Sequence, residues 1–400
     1  FMIKDKIKQL SKEYLAETIA IRRRLHQHPE LSTQEYQTAA FISKQLSHWG
    51  IQHQTGVAGT GIVAHIKCND PDSKTIALRA DMDALPITEL TAVPFKSLTT
   101  GVMHACGHDI HMASLLGAAR ILNQLRDQLT GTIRLIFQPS EEKYPGGALL
   151  MINEGVLKNP VPSAIFGQHV YPELPAGTIG LKPGKYMAST DEIYLTVKGK
   201  GGHAATPHLT VDPIAIGAQI IVALQQIVSR NALPTMPTVI SFGKFVANGR
   251  TNIIPDKALI EGTIRTFDEQ WRAKAHELIT RTAQGIAQSL GGECEVFIDK
   301  GYPFLVNNEQ LTAAAKETAI EYLGTDKVID LDLRMTAEDF AYYSQEIPGC
   351  FYRLGIAGET SHQAGGLHSA NFDADEASLE TGMGLMAWLG VKTLANQSVT

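Results

Sequence analysis

An α/β fold, with an open and largely parallel sheet interrupted by a second domain, is what this sequence predicts, and three observations predict it. Strand-like runs, GIVAHIK at 61–67, TIALRA at 75–80, TIRLIF at 132–137 and SAIFGQHV at 163–170, alternate with helical periodicity at 33–49 and 110–128. The near-continuous apolar character of most of these runs is what strands covered on both faces require, the mark of a parallel sheet. From residue 186 the rhythm changes to strand, helix, strand, strand, helix, strand, ending near 298; this βαββαβ order is the split-βαβ, ferredoxin-like pattern.

The elements follow in order. FMIKDKIKQLSKEYLAETIAIRRRL at 1–25 reads as an amphipathic helix whose apolar stripe is a packing face. It lacks the uninterrupted apolar stretch of a secretory signal, and Phe1 ahead of Met2 reads as a residue added before the natural start. The inserted unit is read as strand 191–199, helix 212–230, strands 238–247 and 257–267, helix 269–290 and strand 293–299. Residues 1–185 and 299–400 then form two parts of one domain, with 186–298 inserted between them.

Composition narrows the function classes. The chain has 400 residues, 44% hydrophobic and 19% charged, which is ordinary for a globular protein. A formal charge of −6 with no long basic block argues against a nucleic-acid partner. No apolar run is read as approaching the roughly 20 residues of a membrane span. Four scattered cysteines, Cys68, Cys106, Cys294 and Cys350, make a disulfide framework improbable and point to a reducing cytoplasm.

The chemistry concentrates in two motifs. In MHACGHDIH, at 103–111, Cys106 and His108 flank one glycine; such a pair cannot share a helix face, so it needs a turn, and the helical spacing after it places that turn at a helix start. In FQPSEE, at 137–142, Glu141 and Glu142 follow a buried strand closed by proline, at the strand's carboxyl end where open α/β sheets hold ligands. His169 ends another apolar run, and His368 sits among small residues in GGLHSANF. Each alone reads as structural or exposed. Together, Cys106, His108, Glu142, His169 and His368 offer soft, borderline and hard donors suited to Zn²⁺, Co²⁺, Ni²⁺ or Mn²⁺. Five donors exceed what one catalytic zinc takes, so two divalent ions sharing a bridge, Cys106 or a water, are the economical reading. Glu141 is left to act as general base on a metal-activated water.

With those residues in place the chain resembles the dinuclear-metal N-acyl-L-amino-acid amidohydrolases, a family of aminoacylases, hippurate hydrolases and indole-acetyl-amino-acid hydrolases. The ordered blocks that carry the resemblance run nearly end to end: RRRLHQHPELSTQE, ALRADMDALPI, MHACGHDIH, FQPSEE, FGQHV, GKGGHAATPH, TNIIPD, GTIRTFD, TAEDFAYY and LHSANF. The resemblance implies the same five ligands and the same base. It further implies that the inserted domain is a lid and dimerisation domain, that the chain is a homodimer or a higher homo-oligomer, and that His203 reaches a partner's site to polarise the scissile carbonyl. Asn252 and Arg265, with Arg250 as an alternative, match positions that hold the substrate's α-carboxylate. One departure stands at Asp81-Met82-Asp83, where related carboxypeptidases carry His-x-Asp; Asp81 and Asp83 are read as groups that orient ligands. His26, His28, His104 and His111 are read as structural, and Asp109 as either orienting an imidazole or capping the following helix. The expected reaction is hydrolysis of an N-acyl amino acid. The alternatives are a metallo-dipeptidase or carboxypeptidase and a non-catalytic metal- or peptide-binding module.

Overall fold

The computed structural model describes residues 2–358 and 365–395. Phe1 lies outside them, as do residues 359–364 and the last five. The chain divides into two compact units, one of Phe1–Tyr186, Val306–Asp332 and Asp339–Thr400, the other of Met187–Leu305 and Leu333–Glu338.

The first unit is built on an eight-stranded sheet, in the order Gln52–Val57, Gly61–Lys67, Thr132–Gln138, Thr75–Asp81, Ile165–Pro175, Gly349–Ala357, Ile179–Leu181, Val328–Asp330. The four strands from Thr132–Gln138 to Gly349–Ala357 pair in parallel, as do the last two. The pairings of the first three strands are antiparallel, and so is that of Gly349–Ala357 with Ile179–Leu181. The fold class is therefore α/β, as expected, with a parallel centre, a hairpin of Gln52–Val57 and Gly61–Lys67 at one rim, and a short parallel pair joined antiparallel at the other. Strands Thr75–Asp81 and Thr132–Gln138 are buried at every position, which is why their sequences show no apolar-polar alternation. Helix Ile3–Gln27 buries Ile7, Leu10, Tyr14, Thr18, Ile21 and Leu25, a spacing of three and four that puts one stripe on the core. Helix His108–Leu125 is buried over nearly its whole length, its polar His108, Asp109 and His111 in the first turn and its largely apolar run from Met112 to Leu122 alike.

The second unit carries a four-stranded antiparallel sheet in the order Val239–Val246, Lys257–Arg265, Asp191–Lys198, Glu293–Lys300. Helices Pro213–Gln226 and Glu269–Ser289 supply the βαββαβ order. Asp212 caps the first by accepting from Ile214 N at 2.8 Å, and Asp268 caps the second by accepting from Trp271 N at 2.9 Å. One expectation is corrected here. The run Pro213–Asn231, helix plus a π-helical last turn, is long and apolar enough by length and composition alone to cross a bilayer. Its Ile216, Ile220 and Leu224, four residues apart, are buried in the core of this unit.

Candidate metal centre

Gly107 makes the Cys-Gly-His turn. It lies at φ +80°, and a Cβ there would stand 2.5 Å from Val170 Cγ2, so a side chain is excluded by both conformation and space. Helix His108–Leu125 starts immediately after it. Cys106 Sγ lies 3.5 Å from His169 Nε2. His108 Nδ1 donates to the Asp83 carbonyl at 2.8 Å, and His169 Nδ1 donates to the Val170 carbonyl at 2.8 Å. Each bond uses Nδ1 as the donor, so Nε2 is the nitrogen turned toward a metal.

Asp83 sets the two glutamates. Its Oδ1 accepts from Glu141 N at 3.0 Å, and its Oδ2 accepts from Glu142 N at 2.9 Å and from Ser32 Oγ at 2.6 Å. Glu142 Oε1 stands 3.2 Å from His368 Nε2. His368 is held by its own N–H, which donates to Ala105 O at 2.8 Å, and its backbone is left-handed at φ +62°. The five sequence-predicted donors thus meet in two trios that share one sulfur: Cys106, His108 and His169, and Cys106, Glu142 and His368, with the donor atoms of each trio within 4.8 Å of one another. Glu141 joins Glu142 and His108 in a third group of the same size.

The electrostatics fit a cation. His108 has carboxylate oxygens of Asp83, Asp81, Glu142 and Glu141 at 3.4, 3.8, 3.9 and 4.0 Å. Burial opposes its charging, yet Asp81, Asp83 and Glu142 outweigh burial and raise its pKa to about 10. Burial, then Glu142, Glu141 and Asp81, push the Cys106 thiol well above its usual range. Burial, then the Arg353 charge, holds His169 well below the ordinary imidazole value. One buried atom, His108 Nε2, has no hydrogen-bond partner, and Glu142 Oε1 has the His368 imidazole 3.2 Å away. Buried polar atoms rarely stay unpaired, and this one stands among carboxylates. A divalent cation would answer both the crowd of carboxylates and the unpaired imidazole nitrogen.

Asp81, the departure from His-x-Asp, is itself committed: Oδ2 accepts from Arg79 Nη1 at 2.7 Å and Oδ1 from His111 Nδ1 at 2.6 Å. His111 Nε2 accepts from Val170 N at 2.9 Å, so both of its nitrogens are engaged. Asp109 caps no helix; it accepts from Arg22 Nε at 2.7 Å and His26 Nδ1 at 2.9 Å. His26 also reaches Glu89 Oε1 at 3.1 Å, and although burial opposes it, these acids raise its pKa. Sequence reasoning missed Asp339, which accepts from Arg79 Nη2 at 2.8 Å, Gln138 Nε2 at 2.7 Å and Ala148 N at 3.0 Å and so ties the strand end under the glutamates to the next helix. Its only signal is the acidic pair inside TAEDFAYY.

His203 and Asn252 belong to the second unit. Strand Gly202–His203 pairs with Ile253–Ile254, with His203 opposite Ile253, and Ala204 N donates to Asn252 O at 3.0 Å. His203 is exposed, and its Nδ1 accepts from Ala205 N at 3.0 Å. Arg265 ends strand Lys257–Arg265, opposite Val239, on the larger sheet of that unit.

A largely parallel sheet with a two-trio donor cluster, drawn from a helix start, a strand and the loops beside them, defines the class as metallohydrolase. Residues 77–389 match peptidase family M20/M25/M40, and the chain belongs to that family. It is 42% identical over 390 residues to the N-acetylcysteine deacetylase of Bacillus subtilis, covering 96% of this chain and 98% of that one. Thermostable carboxypeptidase 2 of Saccharolobus solfataricus is 41% identical over 392 residues, covering 97% of this chain and 98% of that protein. The solved structure of Bacillus subtilis YXEP, described as a dinuclear metal binding peptidase of the M20 family, superposes with a TM-score of 0.83 at 40% identity, over 96% of this chain and 99% of that one.

Proposed function

We propose that the chain hydrolyses the amide bond of N-acyl amino acids, releasing a carboxylic acid and a free amino acid. The observation that carries the reading is the pairing of Glu142, a member of a donor trio, with Glu141, the next residue, both aimed by the carboxylate of Asp83. Similarity to an N-acetylcysteine deacetylase supports the substrate class. Cys106, His108 and His169 would hold one divalent ion, and Cys106, Glu142 and His368 a second. The mixture of thiol, imidazole and carboxylate favours zinc, cobalt, nickel or manganese over magnesium or calcium. Such ions, when bound, supply Lewis acidity that polarises the amide carbonyl and acidifies water.

Glu141 takes the proton of the attacking water and returns it to the leaving nitrogen. His203 donates to the carbonyl oxygen as negative charge develops there, in the site of the partner in a homodimer formed through the inserted domain. Asn252 and Arg265 hold the substrate carboxylate, Arg265 through its planar fork. The chain acts in the cytoplasm, on small molecules rather than nucleic acid or membrane.

The test is release of free amine from a panel of N-acetyl and N-benzoyl amino acids and of dipeptides, with chelated enzyme restored by Mn²⁺, Zn²⁺, Co²⁺ or Ni²⁺. Cleavage of the acylated compounds only with metal is expected. Cleavage of dipeptides alone would establish instead the second reading, a peptidase, which the similarity to a carboxypeptidase favours. No cleavage of either with metal bound would leave the chain a binding module.

A further inference from the structure

The block RRRLHQHPELSTQE, at 22–35, has no part in the chemistry above, and it lies ahead of the family-matched residues 77–389. Its side chains nevertheless reach the scaffold of the metal centre. Arg22 and His26 hold Asp109, next to His108; Ser32 holds Asp83; and Glu35 Oε1 accepts from Ser140 N at 2.9 Å. We propose that Glu35 is a positioning residue for the Glu141–Glu142 pair, fixing the backbone of Ser140 so that one glutamate faces the donors and the other the substrate. The inference rests on the reading of those two glutamates as base and ligand.

Ser140 has φ +54°, the left-handed region that residues with a Cβ avoid. No glycine relieves it, so its surroundings must impose it. Its carbonyl accepts from Gly147 N at 3.0 Å, and its N–H goes to Glu35. Three consecutive N–H groups, of Ser140, Glu141 and Glu142, therefore end on two buried carboxylates: Glu35 Oε1, Asp83 Oδ1 and Asp83 Oδ2. Successive N–H groups at such a turn form a concavity that takes an anion, and here the protein fills it from within. Glu35 is wholly buried, and its Oε2 is locked by Thr60 Oγ1 at 2.7 Å. Truncating it orphans a buried N–H at the residue before the base and frees Ser140 to relax to negative φ, which swings Glu141 and Glu142 together.

The test compares Glu35→Ala with Glu35→Gln in the full chain. Glutamine keeps an acceptor for Ser140 N and a group for Thr60; alanine keeps neither. In Glu35→Ala, affinity for Zn²⁺ and Mn²⁺ titrated into chelated protein should weaken by about 10- to 100-fold, as for other residues that orient metal ligands. Its kcat should fall by a similar factor with KM changed less than about threefold, the pattern of a displaced base. Amide exchange at 140–142 should quicken in the metal-free chain, and Glu35→Gln should recover all three quantities to within about threefold of the unaltered chain. Metal affinity and exchange rates in Glu35→Ala within about twofold of the unaltered chain would overturn the proposal, and so would Glu35→Gln behaving as Glu35→Ala. If the alanine variant does not fold, Thr60→Val decides: faster exchange at Ser140 supports the role and unchanged exchange refutes it. Metal titration and exchange need no substrate, so a chain that cleaves no acyl amino acid sinks the proposed reaction and leaves this role to stand or fall separately.

Discussion

Two buried charged clusters, one in each unit, have similar composition and opposite character. In the second unit Asp191 accepts from Arg272 Nε at 2.9 Å, His276 Nε2 at 2.6 Å and Gly301 N at 3.0 Å, while Arg272 also reaches the Gly301 carbonyl at 2.8 Å and Glu269 at 3.0 Å. The acid is answered by a guanidinium fork and by backbone, and none of its oxygens or the Arg272 nitrogens is left unpaired. Around His108 four carboxylates crowd one imidazole, and His108 Nε2 has no hydrogen-bond partner. A completed network is architecture, whereas one that leaves an imidazole nitrogen unpaired among four carboxylates is built for a ligand.

The largest expected effect breaks the contrast on the functional side. Glu141→Gln should lower kcat by about 10²–10⁴-fold, the usual worth of a general base, while metal content by elemental analysis stays at the unaltered value. Retained turnover would remove Glu141 from the chemistry; lost metal would make it a ligand. On the architectural side, Arg272→Ala strands Asp191 in the core and should cost about 3–5 kcal/mol of stability, measured by denaturant unfolding, with turnover per folded molecule preserved. A loss under about 1 kcal/mol would mean that water or His276 already answers the acid.

The same contrast explains what the sequence could show. The Cys106–Gly107–His108 turn was legible because its cause is local: donors flanking a residue that alone tolerates φ +80° against Val170. Glu141 and Glu142 were legible because a buried strand ends at Gln138 just before them, and such ends are where parallel strands deliver side chains, whereas His169 lies within its strand, Ile165–Pro175. Glu35 was not, because its partner is 105 positions away and Ser140 gives no sign in the sequence of its left-handed backbone. Nor was His368 legible as a strained residue, since glycines stand beside it rather than at it. The antiparallel rim of the large sheet depends on which strands meet, a long-range choice that apolar runs do not encode. The apolar face of Pro213–Asn231 went unread because glutamines and one glycine interrupt the run.

A smaller effect separates the clusters by pH. Burial pushes Asp191 up, but hydrogen bonds from Arg272 and His276 and the Arg272 charge outweigh it and hold the carboxyl below its usual value. A depressed carboxyl stabilises the fold above its unfolded pKa, about 3.9, and loses that contribution as pH falls through the folded value. The stability gap between the unaltered chain and Asp191→Asn should therefore be full near pH 6 and shrink below about pH 4. Thermal unfolding across that range reads it. A gap that is flat to pH 2, or that widens on acidification, would mean that the acid is held by shape rather than charge.

The smallest effect tests whether burial, rather than pairing, is what distinguishes these clusters. Lys244 Nζ meets Glu261 Oε1 at 2.7 Å, as close as the buried pairs, but its side chain is 53% exposed. Water screens the attraction and holding a long flexible side chain costs entropy, so Lys244→Ala should change stability by less than about 1 kcal/mol and be insensitive to salt beyond that amount. The distance alone would rank this pair with Arg272 and Asp191. A loss of several kcal/mol would show that distance is the better guide, and burial would no longer distinguish the acids around His108 from an ordinary surface pair.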